Sequence, residues 1–141
     1  MTRVDFYVID GGANRHDHTL CRVVAKAWQQ GHAVYVQCAD RDGARAFDDL
    51  LWTFEDTSFV PHALEGDDAA PAPIVIGTSA DALAAPDVLL NLAAEVPANV
   101  SRFARVIESA GHDETSRQAA RQRYRYYQDR GFPLHTHKLG R

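Results

Sequence analysis

Long apolar runs are missing from this sequence of 141 residues. Nothing in it approaches the roughly 18 consecutive apolar residues that a membrane-crossing helix needs, so no span is expected. Cysteine is scarce: Cys21 and Cys38 are the two in the chain, too few for a disulfide framework. The opening MTRVDFYVID lacks the charged and apolar regions of a secretory signal and alternates like a strand instead. These absences point to a reducing, bacterial-type cytoplasm. Phosphate loops are missing too. Gly11-Gly12 follows the first strand pattern, but without a three-glycine fingerprint or a Gly-Lys-Ser/Thr sequence it reads as an ordinary strand-to-helix turn. Ser79, Ser101 and Ser109 stand in no nucleophile-elbow pattern.

Hydrophobic content of 45% and charged content of 24% are ordinary for a globular protein, and the length suits one domain spanning residues 1–141. The net charge of −4 is unevenly spread. Residues 1–100 carry 6 basic and 15 acidic side chains, and residues 101–141 carry 9 and 4. Positive charge concentrates in RQAARQRYRYYQDR, residues 117–130, with five arginines, three tyrosines and one acid. Average charge therefore argues against general nucleic-acid binding, while local charge argues for one anion-binding face.

Periodicity predicts an alternation of strands and helices. Val4–Ile9 reads as a strand. Leu20, Val23, Val24, Ala27 and Trp28 fall at helical spacing, closed by Gly31. Residues 33–38 read as a short buried strand. Asp40 caps a helix that carries Ala44, Phe47, Leu50, Leu51 and Phe54. Residues 65–73 form a Pro-rich loop. Residues 74–77 and 88–92 read as strands, residues 98–102 as a helical turn, and residues 105–108 as the last strand. Asp113 or Thr115 caps a final helix that Gly131 and Pro133 end. Runs such as VLLNL, apolar on both faces, suit a parallel sheet covered on both sides. The expected fold is a single-domain, Rossmann-like α/β three-layer sandwich with a mainly parallel central sheet.

Several constellations have a plain structural explanation. His16-Asp17-His18 and His135-Thr136-His137 alternate as zinc ligands can, but no carboxylate or cysteine lies at a diagnostic spacing. They read as unligated histidines in a loop and at a frayed terminus. Cys21 and Cys38 read as small core residues. Trp52 follows Leu51 and so faces about 100° away from it on a helix. Trp52 and Phe59 are thus either an exposed aromatic pair of the kind that anchors interfaces, or core. On the final helix, Arg117, Arg121, Tyr124, Arg125 and Gln128 share a face, whereas Arg123, Tyr126 and Tyr127 point elsewhere. This helix is either a solvated basic element covering the sheet or one wall of a pocket. In the second case Tyr124 walls an apolar side chain and Arg121 and Arg125 hold a carboxylate.

These pieces, in order, resemble a known family. Phe6-Tyr7-Val8-Ile9, Trp28-Gln29-Gln30-Gly31-His32, Val36-Gln37-Cys38 and Ala46-Phe47-Asp48 through Leu51-Trp52 are followed by two more specific motifs. These are Ser58-Phe59-Val60-Pro61-His62 with Leu64-Glu65-Gly66, and Ala120-Arg121-Gln122-Arg123-Tyr124-Arg125 running on to Gly131-Phe132. Together they are similar to the chi subunit of bacterial DNA polymerase III, an accessory protein of the clamp loader. The resemblance implies a non-catalytic adaptor at the replication fork, with no cofactor and with DNA met only indirectly. Its implied partners are the psi subunit and the acidic C-terminal tail of single-stranded-DNA-binding protein, which ends in Pro-Phe. Arg121, Tyr124 and Arg125, with Arg117 and Gln128 on the same face, fall on the tail-binding helix. Trp52, Phe59 and Pro61 fall on the psi segment. Arg125 stands where better-known members have lysine, and Ser109-Ala110-Gly111-His112 is smaller than the apolar stretch expected there, which implies a shallower subsite. The alternative class is a module whose final helix binds single-stranded nucleic acid directly, its tyrosines stacking on bases.

Overall fold

Runs of β-branched residues alternate with amphipathic runs along this chain, and the backbone follows that alternation. The computed structural model describes residues 2–9, 12–54, 61–64, 73–78, 87–98, 100–111 and 113–139. In chain order these form β1 (Arg3–Ile9), α1 (Ala13–Gln29), β2 (Val34–Gln37), α2 (Arg41–Thr53), β3 (His62–Leu64), β4 (Ile74–Gly77) and β5 (Val88–Asn91). A 3-10 turn at Val100–Arg102, β6 (Arg105–Ala110), α3 (Glu114–Asp129) and β7 (Leu134–Leu139) complete them. The seven strands lie in the order β3-β4-β2-β5-β6-β1-β7, and every neighbouring pair is parallel.

Parallel neighbours need crossovers, and crossovers place helices on the sheet's faces. Side-chain alternation assigns those faces. Val34, Val36, Val88, Leu90 and Ile107 point to one side, where α1 and α2 cover them with Leu20, Val24, Phe47 and Leu51. Val4, Phe6, Tyr35, Leu89 and Val106 point to the other, covered by the 3-10 turn and by Ala120 and Tyr127 of α3. The result is the expected α/β three-layer arrangement.

Local chemistry fixes the ends of the helices. Asp40 accepts from the Gly43 N–H at 2.8 Å and so caps α2. Asp113 accepts from Ser116 N at 3.4 Å, which resolves the choice of cap for α3. Gly131, at φ 76, turns the chain out of α3 in the left-handed region that glycine tolerates best.

Two strands correct the sequence reading. Residues 105–110 are not the last strand, and the C-terminal histidines are not frayed. β7 pairs with β1 from Val4↔Leu134 to Ile9↔Leu139. Its LHTHKL sequence is mostly polar because it is an edge strand, and that polarity concealed it. β3 escaped notice because it spans three residues; among the described residues its partner is β4. The 3-10 turn at Val100–Arg102 lies where a helical turn was expected. The Pro-rich loop falls largely outside the described residues.

Candidate functional site

The first half of α3 lies over the C-terminal ends of β1 and β6. A groove of about 320 Å³ opens there. Phe6, Val8, Ala110 and Ala120 give it an apolar floor, and Arg117, Arg121, Tyr124 and Thr136 form its rim. Tyr124 is held edge-on to Phe6, with ring centroids 5.3 Å apart. Arg117 is anchored through its Nε, which donates to the Gly111 carbonyl at 3.0 Å. Arg121 Nη1 lies 3.2 Å from Glu114 Oε2, both side chains being well exposed. An exposed pair of this kind contributes little, so Arg121 can exchange Glu114 for an incoming carboxylate at small cost.

Of the five residues on the expected face, the groove gathers Arg117, Arg121 and Tyr124. Arg125 and Gln128 are exposed further along α3 and do not line it. Ala110 stands in the floor, to which it contributes a single methyl group.

Trp52 lies on α2 with 53% of its surface exposed, while Leu51 beside it is buried. The indole packs against His62, with ring centroids 4.6 Å apart. The His62 side chain has no exposed surface, and its Nε2 approaches Asp48 Oδ1 at 3.3 Å without hydrogen-bond alignment. Pro61 is half-buried next to His62. Phe59 lies outside the described residues.

Arg123 and Tyr127 point away from the face that carries Arg121, into the interior. Glu108 on β6 is fully buried. Arg123 Nε donates to its Oε1 at 2.8 Å, and Tyr127 Oη and Asn91 Nδ2 donate to Oε2 at 2.7 and 2.9 Å. Burial raises the carboxyl's pKa, while the Arg123 charge and the hydrogen bonds pull against it. The same burial, reinforced by the Glu108 charge, raises the Tyr127 phenol. Tyr126 is edge-on to Tyr127 and carries the Arg130 guanidinium 3.7 Å above its ring.

Two further clusters were not foreseen. Asp5, buried in β1, meets Arg105 Nε at 2.6 Å, His137 Nε2 at 2.9 Å and Arg3 at 3.1 Å. Burial works to raise its pKa, but the bonds to His137, Arg105 and Arg3 outweigh it and hold the carboxyl below its ordinary value. The signal was available: a charged residue in an otherwise apolar strand needs partners. His16 lies between Ser109 Oγ, at 3.0 Å from its Nε2, and Asp17 Oδ1, at 3.1 Å from its Nδ1. This order mimics a nucleophile, a base and an acid, but Ser109 is buried and lines none of the described pockets. Among the described residues, no group of three or more His, Cys, Asp or Glu is placed to hold a metal. His16 and His18 lie within α1 and not in a loop, and they diverge, the latter facing the outer side of the helix with Arg15 and Arg22. Burial, followed by the Asp17 charge, pushes the Cys21 thiol up to about 12. Burial and Asp40 push Cys38 up to about 11.

Residues 1–135 match the family described as DNA polymerase III chi subunit, HolC. DNA polymerase III subunit chi of Pseudomonas aeruginosa is 41% identical over 142 residues, covering 100% of this chain and 99% of that one. Its counterpart in Escherichia coli is 29% identical, covering 96% and 97%. The Haemophilus influenzae protein is 31% identical, covering 88% of each. Among solved structures, the crystal structure of T4 UvsW aligns with a TM-score of 0.68 over 99% of this chain and 42% of its own. At 11% identity that likeness speaks for the α/β fold alone. From β1 into β7, over nearly the whole described architecture, this chain belongs to the DNA polymerase III chi subunit family.

Proposed function

We propose that this chain is a non-catalytic adaptor of the DNA polymerase III assembly, a single domain working in the bacterial cytoplasm at replication forks. In this reading, α3 takes the acidic C-terminal tail of single-stranded-DNA-binding protein and the Trp52 region docks the psi subunit. Membership of the polymerase assembly follows from the family; the two partners and their sites are our reading.

The observation that carries it is the α3 groove. An apolar floor rimmed by two arginines of one helix matches a peptide ending in an aromatic residue with a free carboxylate. The floor receives the ring, and Arg117 and Arg121 face the carboxylate. Arg125 and Gln128, further along the helix, are positioned to meet acidic residues upstream in the peptide. Trp52 supports the second half. An exposed indole backed by a buried imidazole is the residue type that anchors interfaces. Phe59 and Pro61 extend that patch in sequence.

Fluorescence anisotropy with a peptide ending in Asp-Pro-Phe tests the first half. Binding of roughly micromolar strength is expected, weaker at higher salt. Amidating the peptide's C-terminus or substituting Arg121→Glu should reduce affinity at least tenfold. Unchanged affinity in Arg121→Glu would remove the tail from this groove. Co-purification with psi, lost in Trp52→Ala and kept in Arg121→Glu, tests the second half.

A further inference from the structure

On the sheet face opposite α3, the end of α1 and the starts of β1 and β6 enclose a cleft of about 380 Å³. Arg3, Lys26 and Arg105 bring three cations to its wall, with Gln30 and His32 beside them. Asp5 is the carboxylate within it and is already bonded to Arg105, Arg3 and His137. His32 Nδ1 lies 3.3 Å from a second carboxylate, Asp87, at the margin. One carboxylate inside the cleft does not neutralise three cations, so a positive surplus remains.

That surplus continues out of the cleft along α1. Arg15, Arg22 and Lys26 stand at i, i+7 and i+11, within roughly 40° of helix surface and over about 16 Å of axis. All three are exposed, and none forms an ion pair among the described residues. Arg15 and Arg22, with His18 and Thr19, wall a second hollow of about 280 Å³ on the same stripe. The partial negative charge at the end of α1, about half a unit, is offset by Lys26 alone.

We propose that stripe and cleft form a second anion-binding surface. It takes the phosphodiester backbone of a single-stranded nucleic acid, laid along α1 with one phosphate seated among Arg3, Lys26 and Arg105. The ligand's chemistry follows from what the walls contain. The α3 groove has an apolar floor for a peptide's terminal ring. The α1 cleft offers only Val23, Ala27 and the Tyr7 ring against its charged groups, and the Tyr7 ring is stacked on His137. A peptide would lack an apolar anchor here, whereas a phosphate backbone needs none. The exposed large apolar side chain among the described residues, Trp52, lies on α2. Without a stacking platform on the stripe, binding is weak and indifferent to sequence. The net charge of −4 keeps it weaker still.

The test is a titration of a labelled oligothymidylate with the purified full chain, at about 20 mM and about 150 mM salt. Binding should be measurable at the lower salt and fall steeply, with a log–log slope near −0.7 per phosphate contact, or about −2 to −3 in all. The double variant Arg22→Glu/Lys26→Glu should lose at least tenfold in affinity, and the milder Lys26→Gln severalfold. Arg121→Glu, on the other face, should leave oligothymidylate binding unchanged while weakening the acidic peptide. Four results overturn the proposal: no binding at low salt, equal binding of a polyglutamate control, insensitivity to both α1 variants, or loss in Arg121→Glu instead. Failure of the peptide titration alone bears on the α3 groove and leaves this test standing.

Discussion

Arg123 and Glu108 lie almost wholly out of water, joined at 2.8 Å, while Tyr127 and Asn91 occupy the second carboxylate oxygen. Removing one partner strands the other charge in the interior. Arg123→Ala is therefore expected to cost about 3–5 kcal/mol, read from urea denaturation. Replacing both by methionine should cost much less, and a double variant as unstable as the sum of the two single ones would show that they are not coupled. Asp5 makes a pH prediction. Its folded pKa lies below the ordinary 3.8, so its stabilisation is fully present above that value and is lost as pH falls through the folded pKa. Asp5→Asn should lower stability near neutral pH, and the gap from the parent should close as the pH drops below about 3.8. The thiols behave differently again. With Cys21 at about 12 and Cys38 at about 11, neither is a thiolate near pH 8, and both are buried. A thiol reagent should label them only as fast as the fold opens, and rapid native-state labelling would contradict their placement.

Elements differed in how much of them the sequence disclosed. α1 and α2 were legible because an apolar stripe every three to four residues has one interpretation, and because Asp40 marks a start and Gly31 an end. Five strands were legible by a different signal, short runs of β-branched and apolar residues bounded by turn residues. β7 was not: an edge strand needs little apolar surface, so LHTHKL carries no hydrophobic signal. On α3, helical spacing placed Arg117, Arg121 and Tyr124 together, but it could not show that the groove ends before Arg125. Phe6 and Val8 of the groove's floor lie more than a hundred residues away, and Thr136 of its rim is on the unread strand. The turn leaving α3 gives an element-scale prediction. Gly131 has φ 76, and an added Cβ would meet nothing within 4 Å. Gly131→Ala should then cost about 1–2 kcal/mol through backbone strain alone, without a packing penalty. A neutral result in thermal unfolding would mean that the turn relaxes.

The whole molecule separates two cationic surfaces by the thickness of a sheet, with α3 on one face and α1 on the other. Ligands that share neither residues nor a mobile element should bind independently. Saturating the α3 groove with acidic peptide should change oligothymidylate affinity by less than about twofold, and strong competition would place both ligands on one surface. Strand order has a different consequence. β1 precedes the other described strands, yet its neighbours are β6 and β7, the two that come last among them. During synthesis β2, β4 and β5 can find one another early, while β1 must wait, its apolar side chains unshielded, until residues beyond 100 leave the ribosome. Until β6 and β7 are made, β1 thus stays unpaired, with the open strand edges and bare apolar surface that invite misassembly.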